Sequence, residues 1–319
     1  MKFLTCHLKP KGPFHLGERE NWREGSSEFI HSDTLFSAFC HSYLLLYGRA
    51  NLEELLDQFV SGNPPFLLSS AFPYWQGQCY FPVPKNQIPK AKEAKKIQFI
   101  EKKGFEELIK GAKLEEIMSD IKTIPANREP YFPWVKENVP RVSLSRYSNH
   151  PIEDGGYFHF GLVFYQADAE LFFLIKYIDI SIIKKFEAAI RLLADEGIGG
   201  DRSSGKGIFH PPVFSEIEIS IPQNADGTIS LSLYYPGNGE LNEISEGFYE
   251  LLERKGYIYS PYGMSLRRKS IRMFTEGSVF SAKSPKIGKL VNVTPEIFTH
   301  HNIYRYGFIF GLPCKLELT

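Results

Sequence analysis

Cysteine is scarce in this chain of 319 residues. Four are present, Cys6, Cys40, Cys79 and Cys314, and they form no CxxC pair and have no histidine at metal-ligand spacing. Structural zinc sites are built from such closely spaced ligands. We therefore expect neither a structural metal nor a cofactor.

Long apolar runs are also missing. No stretch approaches the roughly 18 apolar residues that a membrane-spanning helix needs, and residues 1–5 lead into a polar segment without the apolar core of a signal peptide. Hydrophobic residues make up 43% of the chain and charged residues 23%, as in globular proteins. We expect a cytoplasmic protein with reduced thiols and no contact with a membrane.

Neither sign of charge is in excess. The 37 Lys and Arg residues balance 37 Asp and Glu residues, so the total lacks the positive charge typical of a free nucleic-acid binder. Cations are instead grouped locally, at Lys9 and Lys11, at Arg141 and Arg146, at 267–272 and at 283–289. Each group alone is compatible with a solvated surface. Together they suit one RNA-binding face, with the acidic stretch 240–253 on a protein-binding face.

The most informative segment is the glycine loop, residues 195–209. Five glycines, at positions 197, 199, 200, 205 and 207, are interleaved with Arg202, Ser203, Ser204 and Lys206. Glycine allows positive φ and close backbone approach, while the guanidinium, ammonium and hydroxyl groups are donors for phosphate oxygens. The composition predicts a loop that holds a phosphate chain.

A Walker A assignment fails in this loop. Gly200, Gly205 and Lys206 have the required spacing, but Gly207 stands where a hydroxyl would hold Mg²⁺. A P-loop also opens a helix, whereas here an amphipathic helix precedes the glycines, with its apolar face at Ile182, Phe186, Ala189, Ile190 and Leu193. A clamp for a single-stranded nucleic-acid backbone is favoured, and a tight connection that binds nothing stays an alternative.

The pattern along the chain predicts an α+β protein with two ferredoxin-like units. The first, residues 1–212, has strands at 2–8, 66–74, 78–83, 157–165 and 170–178, helices at 35–48 and 181–194, and a closing strand after Ile208. Ser32 or Asp33 is expected to cap the first helix. An insertion at about 84–151 interrupts this unit, with helical stretches at 90–103 and 105–121.

The second unit, residues 213–319, repeats this pattern. Strands are predicted at 214–221, 228–235, 257–262, 271–282 and 306–317, with a helix at 242–254. The boundary is placed at Pro211-Pro212.

The glycine loop and its setting resemble the RAMP superfamily of CRISPR RNA-binding proteins, which carry such a loop between the last helix and last strand of the first ferredoxin-like unit. Residues 197–209 match it closely. The segments HSDTLFSA (31–38), RKSIRMFTEGS (268–278) and YRYGFIFG (304–311) are similar to the fourth-subunit family of the type III-A effector, the Csm complex. The resemblance spans nearly the whole chain and is weakest between 84 and 140.

The resemblance implies a non-catalytic, Cas5-like subunit that holds the 5′ tag of the mature CRISPR RNA. Its partners would be the large signature (polymerase-like) Cas subunit and a backbone RAMP subunit, with target RNA met only indirectly. The loop residues Gly199, Gly200, Arg202, Ser203, Ser204 and Lys206 would grip the tag, the glycines admitting the RNA backbone and the cations neutralising it. The insertion near Arg141 and Arg146 would form a thumb-like hairpin.

Further RNA contacts are expected from the matching segments and from aromatic residues. His31, Ser32, Arg268 and Lys269 complete the predicted RNA-binding set. Tyr147, Phe209 and Tyr262 are candidate stacking platforms, although each ring taken alone is more typical of a core.

Three other functions stay open. Some RAMP proteins process precursor RNA with a histidine near the first helix, and His15, His31 and His41 are candidates for such a metal-independent endoribonuclease, although no spacing pairs them with a second acid. Asp33 is the nearest candidate for an aspartate that cuts target RNA, but a helix cap explains it better. A scaffold that binds no RNA would make the loop cations dispensable.

Overall fold

The computed structural model describes residues 1–17, 24–125, 132–145, 147–148, 150–151, 156–244, 247–260, 262, 266–282 and 287–317. The helices are α1 Ser32–Val60, α2 Lys102–Ile109, α3 Leu114–Ile117 and α4 Ile183–Glu196. No helix in these ranges is long and apolar enough to span a membrane. The strands, in chain order, are β1 Lys2–Leu8, β2 Phe66–Leu68, β3 Phe72–Trp75, β4 Gln78–Pro82, β5 Ile97–Glu101, β6 Thr123–Pro125, β7 Trp134–Val142, β8 Tyr157–Tyr165, β9 Ala169–Tyr177, β10 Val213–Glu218, β11 Gly227–Ser230, β12 Gly247–Phe248, β13 Leu251–Arg254, β14 Ile271–Phe274, β15 Val279–Ser281, β16 Gly288–Asn292, β17 Tyr304–Phe308 and β18 Gly311–Cys314.

One antiparallel sheet organises the N-terminal part of the chain, in the spatial order β10-β1-β9-β3-β4-β5-β6, with β2 also paired to β9. The apolar run Leu171–Ile175 of β9 is fully buried, as expected for a strand covered on both faces. The strand predicted at 214–221 as the start of the second unit is β10, which pairs with β1. The large sheet therefore continues past residue 212, and the division of the chain at that residue stays a prediction.

The helices α1 and α4 pack together over this sheet through aromatic side chains. The rings of Phe39 and Phe186 are 5.0 Å apart, and Phe66 of β2 lies 4.9 Å from Phe186. Phe36 of α1 reaches Tyr306 of β17 at 4.9 Å, which joins the N-terminal part to the C-terminal strands. Much of the aromatic content therefore belongs to the core.

The start of α1 differs from the predicted cap. His31 is the cap residue, without a side-chain cap hydrogen bond, and the Ser32 amide donates to Ser70 Oγ at 2.8 Å. Ser32 Oγ instead accepts from the Leu233 amide, so the prediction that Ser32 or Asp33 caps the helix is wrong. The predicted end at Gly48 is a kink with φ +79°, after which the helix resumes to Val60.

Two predicted helices are strands instead. The stretch 90–103 contains β5, which pairs with β4 and β6, and the stretch 242–254 contains β12 and β13 after a short 3-10 turn. In both places pairing with a distant strand outweighs local helical propensity. The predicted strand 66–74 is divided into β2 and β3, and 271–282 into β14 and β15.

The C-terminal part is built of short antiparallel strands. One sheet has the order β12-β15-β11-β18, and β13–β14 and β16–β17 form separate pairs. Of the predicted strand 257–262, the described residues contribute an isolated bridge between Tyr257 and Arg267. Tyr306 of β17 is fully buried, and its hydroxyl accepts a hydrogen bond from the Leu68 amide at 3.0 Å.

Tyr306→Phe is expected to lower the free energy of unfolding by about 1–3 kcal/mol, because the buried Leu68 N–H would lose its acceptor. Denaturant unfolding measures the change. Tyr304→Phe, at a half-buried position of the same strand, serves as the control and should change stability by no more than about 0.5 kcal/mol. Equal effects of the two changes would contradict the role given to the Tyr306 hydroxyl.

Candidate nucleic-acid interface

The glycine loop connects α4 to β10 and lies on residues 9–17, the segment that follows β1. Backbone hydrogen bonds fasten the two segments: Lys11 N to Ile208 O at 2.9 Å, Gly207 N to Pro13 O at 3.0 Å, Gly200 N to His15 O at 2.9 Å and His210 N to Lys9 O at 2.8 Å. The loop is therefore held in one shape along much of its length.

Two of the glycines are required by this packing. Gly199 has φ +94°, and a Cβ there would lie 2.2 Å from the carbonyl oxygen of His15. Gly207 has φ +69°, and its Cβ would lie 2.0 Å from the carbonyl oxygen of Ile198. The close approach that these glycines permit is to the chain's own backbone, whereas the sequence suggested an approach to RNA.

The polar residues of the loop occupy a 3-10 turn, Arg202–Ser204. Left-handed residues flank it, Asp201 with φ +65° and Gly205 with φ +77°, and Ser204 N donates to Asp201 O at 3.0 Å. Ser203 and Ser204 are exposed, and Arg202 and Lys206 are half-buried. The turn and Lys206, two residues beyond it, thus bring two cations and two hydroxyls within five consecutive residues, and these are donor types that bind phosphate oxygens.

The hairpin of β7 and β8 meets the loop at Arg141. The strands pair over nine residues, from Trp134 opposite Tyr165 to Val142 opposite Tyr157. Arg141 Nη1 lies 2.5 Å from Asp201 Oδ2, and its guanidinium stands 4.4 Å from the centre of the Phe160 ring. This ion pair ties the hairpin to the glycine loop.

Asp201 is ionised in this contact. Partial burial would raise the pKa of its carboxyl group, but hydrogen bonds from Arg141 and Ser204 and the nearby charge of Lys206 lower it overall. The predicted partner Arg146 lies outside the described residues. Tyr147, a predicted platform close by, is fully exposed.

A third contact joins the loop to the C-terminal part. The Arg202 guanidinium lies 4.7 Å from the centre of the Tyr259 ring, and the His41 ring of α1 meets the same tyrosine edge-on at 5.1 Å. Burial lowers the pKa of His41, and the charge of Arg202 lowers it further. Tyr259 was not among the sequence-predicted residues, although Tyr257-Ile258-Tyr259 has the alternation of a strand with one outward face.

Arg268 lies against the segment that carries Tyr259, whereas Lys269 pairs with an acidic side chain elsewhere. Arg268 Nε donates to the carbonyl oxygen of Tyr257 at 2.9 Å, and burial lowers the pKa of its guanidinium to about 10. Lys269 is exposed and lies 3.6 Å from Glu296 Oε1. The Arg268 guanidinium thus contacts the backbone two residues before Tyr259.

The remaining predicted residues are placed in the interior. His31 Nδ1 is 2.8 Å from Glu276 Oε1, a carboxylate that also accepts from the Ser70 hydroxyl. Ser32 is fully buried and Phe209 is a core residue with 1% exposure, so neither side chain has surface to offer to RNA. The structure does not bring His31, Ser32 or Phe209 together with the outward turn of the loop.

The three histidines considered for nuclease chemistry have different neighbours. His15 is buried, with Nδ1 2.7 Å from Gly161 O and its ring 4.2 Å from that of Phe160. His31 faces Glu276, and His41 faces Tyr259. In the described ranges no group of three or more His, Cys, Asp or Glu residues has metal-binding geometry. All four cysteines are free thiols, and burial raises the pKa of Cys79 to about 12.

Comparison with known proteins identifies the relatives of this chain. Residues 223–314 match the CRISPR Csm4 C-terminal domain family. The protein of Methanocaldococcus jannaschii named CRISPR system Cms protein Csm4 is 29% identical over an alignment of 343 residues, which covers 93% of this chain and 89% of that protein. The chain is a relative of Csm4. The Csm4 protein of Thermococcus onnurineus is 25% identical and covers 99% of this chain, with 98% of its own length aligned.

Chains with the same fold occur in solved structures of complexes that contain Csm4. A chain in the crystal structure of the Csm3-Csm4 subcomplex of the type III-A interference complex superimposes with a TM-score of 0.66 at 24% identity, covering 98% of this chain and 99% of its own. A chain in the Csm1-Csm4 cassette with cA4 gives a TM-score of 0.64 at 22% identity, covering 100% and 99%. The recognition of a RAMP protein resembling the fourth Csm subunit is confirmed, and the Csm4-like chain has a mixed fold of helices and sheets.

Proposed function

We propose that this Csm4-like chain is a non-catalytic RNA-binding subunit of a type III-A CRISPR interference complex in the cytoplasm. It holds the 5′ tag of the mature CRISPR RNA and joins the large signature subunit to a backbone RAMP subunit. Relatives crystallised as Csm1-Csm4 and Csm3-Csm4 assemblies support the two protein partners. The observation that carries the RNA assignment is the outward turn of the glycine loop, with Arg202 and Lys206 beside two exposed hydroxyls.

The fold supports a finer description of the N-terminal part. The elements β1, α1, β3, β9, α4 and β10 follow one another as βαββαβ, and their strands lie in the order β10-β1-β9-β3. In this proposal they form a ferredoxin-like unit that β10 closes, which moves its boundary from residue 212 to a point after Glu218. The hairpin of β7 and β8 is the thumb-like element that reaches the junction of tag and guide.

For the C-terminal part the ferredoxin-like description has less support. Between residues 219 and 317, the described segments contain a 3-10 turn, Glu240–Glu243, and no α-helix. The proposal for this part is therefore limited to a second, strand-built unit whose contacts with α1 fix its position.

The charge balance indicates how RNA affinity arises. A chain with no net charge has weak long-range attraction for RNA, so a few local cations must supply the contacts with phosphates. We expect weak RNA binding by the free chain and tight binding in the assembled complex, where neighbouring subunits add contacts to the same strand.

The combined change Arg202→Ala and Lys206→Ala tests this function. The complex is purified with its two partner subunits, and the RNA is extracted and compared with that of the unchanged complex. Loss of a uniform short RNA is expected, because two cations of the phosphate site are removed.

The control is Lys92→Ala with Lys96→Ala, which removes the same charge from two exposed lysines remote in sequence from the loop. This control should retain the RNA. Full retention of RNA by the Arg202 and Lys206 variant would support the scaffold function instead.

A further inference from the structure

A segment with three exposed tyrosines contacts the glycine loop through Tyr259, and the function proposed above leaves it unexplained. Tyr257, Tyr259 and Tyr262, here called the tyrosine row, are 45%, 62% and 61% exposed. Ile258 and Ser260 between them are buried, at 3% and 4% exposure. From Tyr257 to Ser260 the side chains therefore alternate between outward and inward, as in an extended strand.

The inward side of this segment packs on a small apolar core. Ile258 packs in a small core with Val293, Phe298 and Ile303. Backbone hydrogen bonds from Ile258 N to Leu266 O at 2.8 Å and from Arg268 N to Gly256 O at 2.9 Å hold the segment against the strand region that follows it. Ser260 Oγ lies 3.0 Å from His301 Nε2. These contacts hold the backbone that carries Tyr257 and Tyr259.

Each ring of the row has a planar polar neighbour. The Arg267 guanidinium lies 5.6 Å from the centre of the Tyr257 ring, and that of Arg202 lies 4.7 Å from the Tyr259 ring. The Tyr262 ring is stacked on His300 at 4.7 Å with an interplanar angle of 18°. Aromatic faces combined with guanidinium groups are the features that bind single-stranded nucleic acid without demand for sequence.

Arg202 connects the row to the phosphate site. It belongs to the outward turn of the glycine loop together with Ser203 and Ser204, and it also contacts Tyr259. A strand whose phosphates lie on the turn therefore has exposed aromatic faces next to it. A protein partner would also cover tyrosine and arginine, but this continuity with the phosphate site favours RNA.

We propose that the tyrosine row stacks unpaired nucleobases of the single-stranded RNA held by the glycine loop. The proposal rests on the proposed function, because it extends the same RNA path. The turn binds the backbone, and the row receives the bases that follow, with Tyr259 at the point where the two sites meet.

Equilibrium binding of fluorescent single-stranded RNA to the reconstituted complex tests the row. Tyr259→Ala is expected to weaken binding by roughly tenfold, as loss of one stacking ring does, and Tyr259→Phe should keep near-full affinity because the ring remains. Tyr249→Ala is the control, since Tyr249 is another exposed tyrosine, at 45%, but packs on Phe274. Ultraviolet crosslinking followed by mass spectrometry should find RNA attached within 257–262.

The possible results separate the two proposals. One result would reject base stacking by the tyrosine row and keep phosphate binding by the glycine loop. In that case Tyr259→Ala binds RNA normally and no crosslink falls in the row, while Arg202→Ala with Lys206→Ala loses RNA. If neither variant affects RNA, both proposals fail. Loss of a protein subunit from the Tyr259→Ala complex, with unchanged affinity for RNA, would assign the row to a protein partner and overturn the proposal.

Discussion

Asp33→Ala is expected to lower the free energy of unfolding by about 3–5 kcal/mol, because it leaves the buried Arg305 and the largely buried Arg254 without their carboxylate. Asp33 lies at the start of α1 with its side chain fully buried. Arg254 of β13 donates to both carboxylate oxygens at 2.9 Å, and Arg305 of β17 donates to one of them. This network ties the first helix to the C-terminal strands.

Because of the same network, we expect the free energy of unfolding to depend on pH. Burial alone would raise the pKa of Asp33, but Arg254 and Arg305 hold it far below its ordinary value. A carboxyl group with a lowered folded-state pKa contributes stability above its unfolded-state pKa of about 3.9, and that contribution is lost as the pH falls further. The difference between the unchanged protein and Asp33→Ala should therefore be full at neutral pH and shrink in acid.

Urea unfolding at neutral pH and in acid measures both effects. Glu53→Ala is the control, because its carboxylate pairs with Arg49 at 2.7 Å on the surface, where both side chains are more than half exposed. That change should alter the free energy of unfolding by less than about 1 kcal/mol. A similarly small effect of Asp33→Ala would contradict the structural role given to the network.

Gly207→Ala is expected to destabilise the fold by about 3 kcal/mol, and Gly205→Ala by about 1 kcal/mol. Both glycines have positive φ, +69° and +77°, so alanine is strained at either position. The two differ in their surroundings, because a Cβ at Gly207 lies 2.0 Å from the Ile198 carbonyl oxygen and one at Gly205 meets open space. The backbone must therefore shift to accept alanine at position 207 but not at position 205.

The two alanine variants are compared by thermal unfolding and by the RNA content of the purified complex. Gly207→Ala should show a clear loss of stability and of RNA, whereas Gly205→Ala should retain most of both. Equal losses would mean that positive φ alone, and not the close packing at Gly207, determines the requirement for glycine.

Elements with a local signal were predictable from the sequence. The apolar face of α4 recurs at helical spacing, and the apolar runs of β8 and β9 flank a short turn, so these three elements appear within about two residues of their predicted bounds. The first part of α1 was predicted for the same reason, but its predicted end at Gly48 is a kink, after which the helix continues to Val60.

Elements whose structure depends on distant partners were not predictable. Ile97–Glu101 stands among lysines that favour a helix, but pairing with β4 and β6 makes it a strand. Leu251–Arg254 pairs residue for residue with β14, and Arg254 is also held by Asp33, 221 residues away. Contacts of this range leave no periodic signal in a single sequence.

The candidate site shows the same division. The loop residues Arg202 to Lys206 were predicted together, and the structure places Arg202–Ser204 on one 3-10 turn, with Lys206 two residues beyond it. The contacts with His15 and Tyr259 come from segments far away in the chain, so the pattern within the loop could not indicate them. Ser32 was assigned to RNA because it lies in a family-like segment, but its hydroxyl accepts a hydrogen bond from the Leu233 amide in the interior.

The salt dependence of RNA affinity tests the phosphate clamp most directly. For the reconstituted complex, the slope of log K against log salt reports the number of neutralised phosphates, at about 0.7 per phosphate of a single strand. Arg202→Ala with Lys206→Ala should reduce the magnitude of this slope by about 1.4 between about 50 and 200 mM salt, while Lys92→Ala with Lys96→Ala leaves it unchanged. An unchanged slope in the loop variant would show that Arg202 and Lys206 do not neutralise RNA phosphates and would contradict the clamp.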